Sequence, residues 1–99
     1  MKLKIAPRAA NDAERHARWW LSNRELASLL FEQELRGALD KIKKSPHVGV
    51  VYKGRRDRIY HRVLMPKTQF HVYYRILEKE SVIRVVTIWS TARRRAPKL

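Results

Sequence analysis

Along the chain the spacing of apolar side chains changes twice, from two residues to about three and a half and back to two. Lys2-Leu3-Lys4-Ile5-Ala6 alternates polar and apolar, as a short half-buried strand does, and Pro7 punctuates it. From Ala9 to Leu21 the apolar residues Ala9, Ala10, Ala13, Ala17, Trp20 and Leu21 recur at helical spacing. Asn11 with Glu14 three residues later offers a capping box. Ser22-Asn23-Arg24-Glu25 repeats that signal and predicts a second helix directly after the first, with Leu26, Leu30, Phe31, Leu35, Ala38, Leu39 and Ile42 on one broad stripe. Lys41, Lys43 and Lys44 suit the negative end of its dipole, and Pro46 stops it. The expected unit is a helical hairpin over about 9–44.

Past Pro46 the period is two. Gly49 to Lys53 reads as a weak strand, followed by the basic loop Lys53-Gly54-Arg55-Arg56-Asp57. Strands are predicted over Ile59–Met65, Phe70–Leu77 and Val82–Trp89, with turns at Pro66-Lys67-Thr68 and Glu78-Lys79-Glu80-Ser81. A strand, a helical hairpin and an antiparallel meander make an α+β two-layer domain. Phe70, Val72, Tyr74 and Ile76, with Ile59, Val63 and Met65, form the face that the helices should cover. Alternation then places Tyr60, Arg62, His71, Tyr73 and Arg75 on the other face, and a slip of one residue would exchange the two sets.

Composition narrows the class. The 99 residues suffice for one domain, 1–99, with a basic tail over about 91–99, and 44% hydrophobic residues suffice for one core. The 23 Lys and Arg against 9 Asp and Glu give a net charge of +14. Residues 1–50 hold ten basic and six acidic side chains, and residues 51–99 hold thirteen and three. Such a surface repels itself and attracts polyanions or acidic proteins. The absence of cysteine excludes disulfides and thiolate metal sites. Neither a signal-type apolar region nor an apolar run approaching 18 residues occurs, so a cytoplasmic protein without a membrane partner is expected.

Basic and aromatic side chains interleaved on a sheet face can hold a polyanion by charge and stack a base, and they can equally be solvated outward residues. His61 and His71 lie on neighbouring strands, and a His pair beside arginines could cleave RNA by acid–base chemistry. The face assignment nevertheless turns His61 inward and His71 outward. No Gly-rich phosphate loop, HExxH motif or Cys/His cluster is present, and no cofactor or metal is expected. His16 and His47 read as structural or solvated, and Trp19 and Trp20 as a helix anchor. Arg93-Arg94-Arg95 is either a solvated tail or a contact for nucleic acid or an acidic groove.

The order of elements and several strings resemble the RelE/ParE toxin superfamily, closer to its ParE-like members. Lys67-Thr68-Gln69-Phe70-His71-Val72-Tyr73-Tyr74-Arg75-Ile76 resembles that family's central strand, and Val82–Trp89 running into Ala92-Arg93-Arg94 resembles its final strand and basic ending. Ile5-Ala6-Pro7, Trp19-Trp20, and Ile42 before Pro46 match its opening and the end of its second helix. The resemblance implies a toxin of a type II toxin–antitoxin module, held in a hetero-oligomer by a cognate antitoxin that lies over Trp19, Trp20, Leu30 and Phe31. It implies one of two targets. ParE-like members inhibit DNA gyrase without known catalytic residues. RelE-like members are ribosome-dependent mRNA endoribonucleases, for which Arg62, His71 and Arg75 would be the catalytic set. His71 stands where the nuclease branch has an arginine, and no tyrosine follows Tyr74. The reading therefore leans to the non-enzymatic branch, with Tyr60, Arg62, His71, Tyr73, Arg75, Trp89, Arg93, Arg94 and Arg95 as target-binding residues.

Overall fold

Five strands form one sheet in a computed structural model that describes all residues, Met1–Leu99. The elements are β1 (Lys2–Ile5), α1 (Pro7–Asn23), α2 (Leu30–Lys44), β2 (Val50–Lys53), β3 (Ile59–Met65), β4 (Phe70–Leu77) and β5 (Val82–Ser90). The sheet order is β1-β5-β4-β3-β2. Successive strands β2 to β5 are antiparallel, whereas β1 runs parallel to β5 with Lys2 opposite Val82 and Ile5 opposite Val85. That parallel pairing is possible because the helical hairpin supplies the long crossover that a parallel pair requires.

The expected sharing of faces between β3 and β4 is observed, and the structure supplies the register. Val63 lies opposite Val72, and Met65 opposite Phe70. The core joins Val63, Met65, Phe70, Val72, Tyr74, Ile83, Val85 and Ile88 from the sheet to Ala9, Phe31, Ala38 and Ile42 from the helices. Ile59 departs from expectation: it is 48% exposed, because it opens β3 opposite the edge residue Lys53, beyond the cover of the helices. A bulge between Tyr73 and Tyr74 brings Tyr73 opposite Thr87 and Tyr74 opposite Val85.

The helix boundaries differ more. Pro7 is the first residue of α1, where its missing N–H costs nothing. Neither Asn11 nor Ser22 caps a helix. Asn11 lies inside α1, and α2 begins only at Leu30, after a 3-10 turn over Glu25–Ala27. Leu26, expected on the buried stripe, sits in that turn and is wholly exposed.

Three polar clasps fix the layers. Asp12 on α1 is buried and accepts from Thr87 Oγ1 at 2.6 Å, from Ile88 N at 3.3 Å and from Arg15 at 3.0 Å. Glu34 on α2 accepts from the backbone N–H groups of Lys67 and Thr68 and from the Thr68 hydroxyl, at 2.8, 2.8 and 2.6 Å, and so holds the β3–β4 turn. The Tyr74 hydroxyl donates to Pro46 O at 2.7 Å and accepts from Gly49 N at 3.1 Å. A Cβ on Gly49 would meet that hydroxyl at 2.6 Å and Arg62 O at 2.9 Å, so the close approach requires glycine.

Candidate target face and its C-terminal cover

Alternation along β3 and β4 brings Tyr60, Arg62, His71, Tyr73 and Arg75 to the sheet face opposite the helices, and Tyr52 of β2 joins them across from Tyr60. The side chains interlock. Arg62 donates to the Tyr73 hydroxyl at 3.2 Å, and its guanidinium lies 5.9 Å from the Tyr52 ring. Tyr52 and Tyr73 meet edge to face at 5.2 Å, His71 and Tyr73 at 5.9 Å. Arg75 lies 5.7 Å from the Tyr60 ring. Burial first, and the Arg62 charge second, hold His71 below the ordinary imidazole value.

This face is not open. Tyr60 is 4% and Tyr73 2% exposed. After β5 the chain turns back: Trp89 Nε1 donates to Arg95 O at 2.9 Å, Pro97 is buried, and Arg55 N donates to Leu99 O at 2.8 Å. Residues 95–99 thus run from the end of β5 to the β2–β3 loop, crossing the sheet on the Tyr60 side. At Gly54 a Cβ would meet both Tyr60 Cε1, at 2.6 Å, and Leu99 O, at 2.8 Å, which places the end of this strap directly beside the Tyr60 ring. The tail is a cover rather than a free extension. In the sequence, the only trace of such a cover is that the cationic run ends in the apolar residues Ala96, Pro97 and Leu99.

Trp89 anchors the other end. Its ring has the Arg93 guanidinium 4.0 Å and the Arg8 guanidinium 5.9 Å from its centroid. Arg93, Arg94 and Arg95 are exposed. The cavity around Trp89, about 670 Å³, is lined by Arg8, Arg93, Arg94, Arg95, Ala96 and Lys98 besides the indole.

The histidines do not converge. His61 faces the helix side, stacked on the Tyr74 ring at 5.6 Å and edge to face with His47 at 5.7 Å. Burial, then the His47 charge, lowers its pKa. His16 is half-buried against Phe70 at 4.4 Å and Phe31 at 5.8 Å, and burial followed by the Arg15 charge lowers it too. His61 and His71 therefore occupy opposite faces. No group of three or more His, Asp or Glu side chains is placed to hold a metal ion.

At the hairpin, Trp19, Leu21 and Leu29 are about half-exposed around the wholly exposed Leu26. Trp20 and Leu30 are partly buried. Phe31, named with them in the sequence reading, has no exposed surface: it meets Phe70 edge to face at 5.0 Å and serves the core. No helix is long and apolar enough to cross a membrane.

Solved structures share this architecture. The chromosomal ParDE toxin–antitoxin system from P. aeruginosa superposes with a TM-score of 0.73 at 14% identity, over 91% of this chain and 95% of that one. A chain of the intact E. coli RelBE toxin–antitoxin complex gives 0.63 at 19% identity, over 93% and 98%. The isolated E. coli RelE toxin gives 0.63 at 20% identity, over 93% and 85%. At these identities the likeness is one of fold alone. No curated protein sequence matches the chain. The family model for the ParE toxin of the type II toxin-antitoxin system parDE matches residues 3–95, and the chain belongs to that family.

Proposed function

We propose that the protein acts as a ParE-like inhibitor of DNA gyrase and is neutralised by a cognate antitoxin. The observation that carries the non-enzymatic reading is the covered sheet face. Tyr60 and Tyr73 are buried and the end of the strap lies beside Tyr60, so neither ring offers a free stacking face to an RNA base next to Arg62, His71 and Arg75. Acid–base cleavage also needs a proton donor near neutral pH. His71 is held neutral there by burial and Arg62, and His61 faces the other way. The gyrase assignment rests on family membership across residues 3–95.

The antitoxin reading draws on the hairpin. Trp19, Leu21, Leu26 and Leu29 are large apolar side chains left exposed near the hairpin turn, which a partner has reason to cover. An amphipathic antitoxin segment with acidic flanks would bury them and offset part of the +14 charge. Ordering such a segment costs about 2–5 kcal/mol, so apolar burial has to accompany charge pairing.

Purified protein is to be assayed for inhibition of gyrase supercoiling and, separately, for mRNA cleavage on programmed ribosomes. Supercoiling inhibition without cleavage is the expected result. Cleavage without supercoiling inhibition would establish the endoribonuclease reading instead, with Arg62, His71 and Arg75 uncovered by movement of the strap.

A further inference from the structure

The strap gathers cations that the fold itself leaves unneutralised. Arg8, Arg93, Arg94, Arg95 and Lys98 line the cavity at Trp89, and no carboxylate shares it. At the far end of the strap, Arg55, Arg56 and Arg58 surround Leu99 in a second cavity of about 280 Å³, whose lining includes no Asp or Glu. The ion pairs of the molecule are Arg15–Asp12, Arg18–Glu14, His47–Glu78 and Lys53–Asp57, and none uses these eight cations. The second group is also held in place. Arg56 and Asp57 take left-handed backbone conformations, with φ of 57° and 59°, while Gly54 N donates to Arg58 O at 2.8 Å across the loop. A fixed row of like charges costs the free molecule in repulsion, and an anion spanning both clusters removes that cost.

Two features define the anion. The lining is poor in apolar side chains, Trp89 and Ala96 in one cavity and Leu99 in the other, so a folded protein partner would bury little there. Exposed apolar side chains lie around Trp19 and Leu26 on the hairpin and at Val50, Val51 and Ile59 on β2 and the start of β3, and none of them lines either cavity. The aromatic rings near the track are also engaged: Arg93 packs on Trp89, Tyr60 and Tyr73 are buried, and Tyr52 lies against Tyr73 and Arg62. Single-stranded nucleic acid is held largely by bases stacking on free aromatic faces. A double helix can be held by its phosphates alone and needs none.

We propose that residues 93–99 and the Arg55–Arg58 loop form one cationic track that binds the phosphodiester backbone of double-stranded DNA. This goes beyond gyrase inhibition and is read with DNA alone, so either conclusion can fail without the other.

The test is fluorescence anisotropy with the full chain and a labelled duplex of about 20 base pairs, titrated at several salt concentrations. Each phosphate contact contributes about 0.9 to the slope of log affinity against log salt. Arg93→Gln/Arg94→Gln/Arg95→Gln and Arg55→Gln/Arg56→Gln/Arg58→Gln should each weaken binding at least about tenfold at roughly 100 mM salt and flatten that slope by about two to three. The charge-matched variant Lys41→Gln/Lys43→Gln/Lys44→Gln, on the last turn of α2, should change affinity no more than about twofold, because those lysines lie off the track. Thermal unfolding verifies that each variant folds. Arg8→Gln and Arg94→Gln, both at exposed positions, give the same answer at smaller amplitude should a triple variant fold poorly. An equal loss from the α2 variant would overturn the proposal by reducing it to net charge. Tighter binding of the single strand than of the duplex would overturn it in favour of base stacking. Competition by polyglutamate as strong as that by unlabelled duplex would overturn it in favour of an acidic protein partner.

Discussion

The helical hairpin and the C-terminal strap each cover one face of the same sheet, and they do so by different means. The hairpin contributes Ala9, Phe31, Ala38 and Ile42 to a continuous apolar core, and its outer end exposes Trp19, Leu21, Leu26 and Leu29. The strap buries Pro97 over a layer of tyrosines and cations, and its outer surface is Arg93, Arg94, Arg95 and Lys98. One side is organised for apolar burial, which salt hardly affects, and the other for charge, which salt screens. A small domain can in this way present two separate recognition chemistries without one partner excluding the other.

Stability should divide along the same line. Phe31→Ala is expected to cost about 3–5 kcal/mol, since it opens a cavity against Phe70 and His16. Pro97→Ala, which keeps most of the strap's contacts, should cost about 1 kcal/mol by urea unfolding. Equal costs would mean that the strap belongs to the core and that the two faces do not differ.

The hairpin's outer end should behave in the opposite way, with binding changed and stability unchanged. Trp19→Ala/Leu26→Ala is expected to leave unfolding within about 0.5 kcal/mol. Its affinity for the antitoxin should fall by about 2 kcal/mol or more, roughly thirtyfold, if these residues anchor the complex. Calorimetric titration at low and high salt checks this, and a loss that vanishes at high salt would assign the contact to charge instead.

The smallest effect is with pH, and it probes both covers at once. His16 on the hairpin side and His71 on the opposite face both have pKa values lowered chiefly by burial. A histidine whose folded value is depressed contributes stability that is fully present above the ordinary value near 6.5 and is lost as pH falls from there through the folded value. On Glu34, burial pushes the pKa up, but the hydrogen bonds from Thr68 and Lys67 outweigh it and leave it below the ordinary carboxyl value. Its contribution is therefore present above about 4.5 and lost below. Two separate declines on acidification are expected, the lower one absent in Glu34→Gln. Titration of His71 by NMR at or above 6.5 would show that the strap does not keep that face closed.

What the sequence made legible follows from range. Period-two alternation in Ile59–Met65 and Phe70–Leu77 separated the two faces, because each residue reports its side through its immediate neighbours, whereas the register came only with the structure. The start of α2 was misplaced because Ser22-x-x-Glu25 is a local signal, and the hairpin turn overrode it. The covered state of Tyr60 and Tyr73 was not legible, since it depends on residues 95–99 returning across the sheet. The clasps at Asp12 and Glu34 join residues 75 and 34 positions apart, and nothing near either carboxylate announces its partner. Tyr60, Arg62, His71, Tyr73 and Arg75 were grouped correctly on one face, but whether that face is reachable is a tertiary property.

The placement of β1 has a consequence for the order of events at the ribosome. Its partner is β5, so Lys2 waits for Val82, about 80 residues downstream. At about 5–20 residues per second this is a delay of roughly 4–16 s. Until then α1 lacks Thr87 and Ile88, the residues that hold Asp12. Chains broken off before β5 cannot close the sheet, and synthesis itself acts as a timer that withholds the folded toxin until β5 has been made.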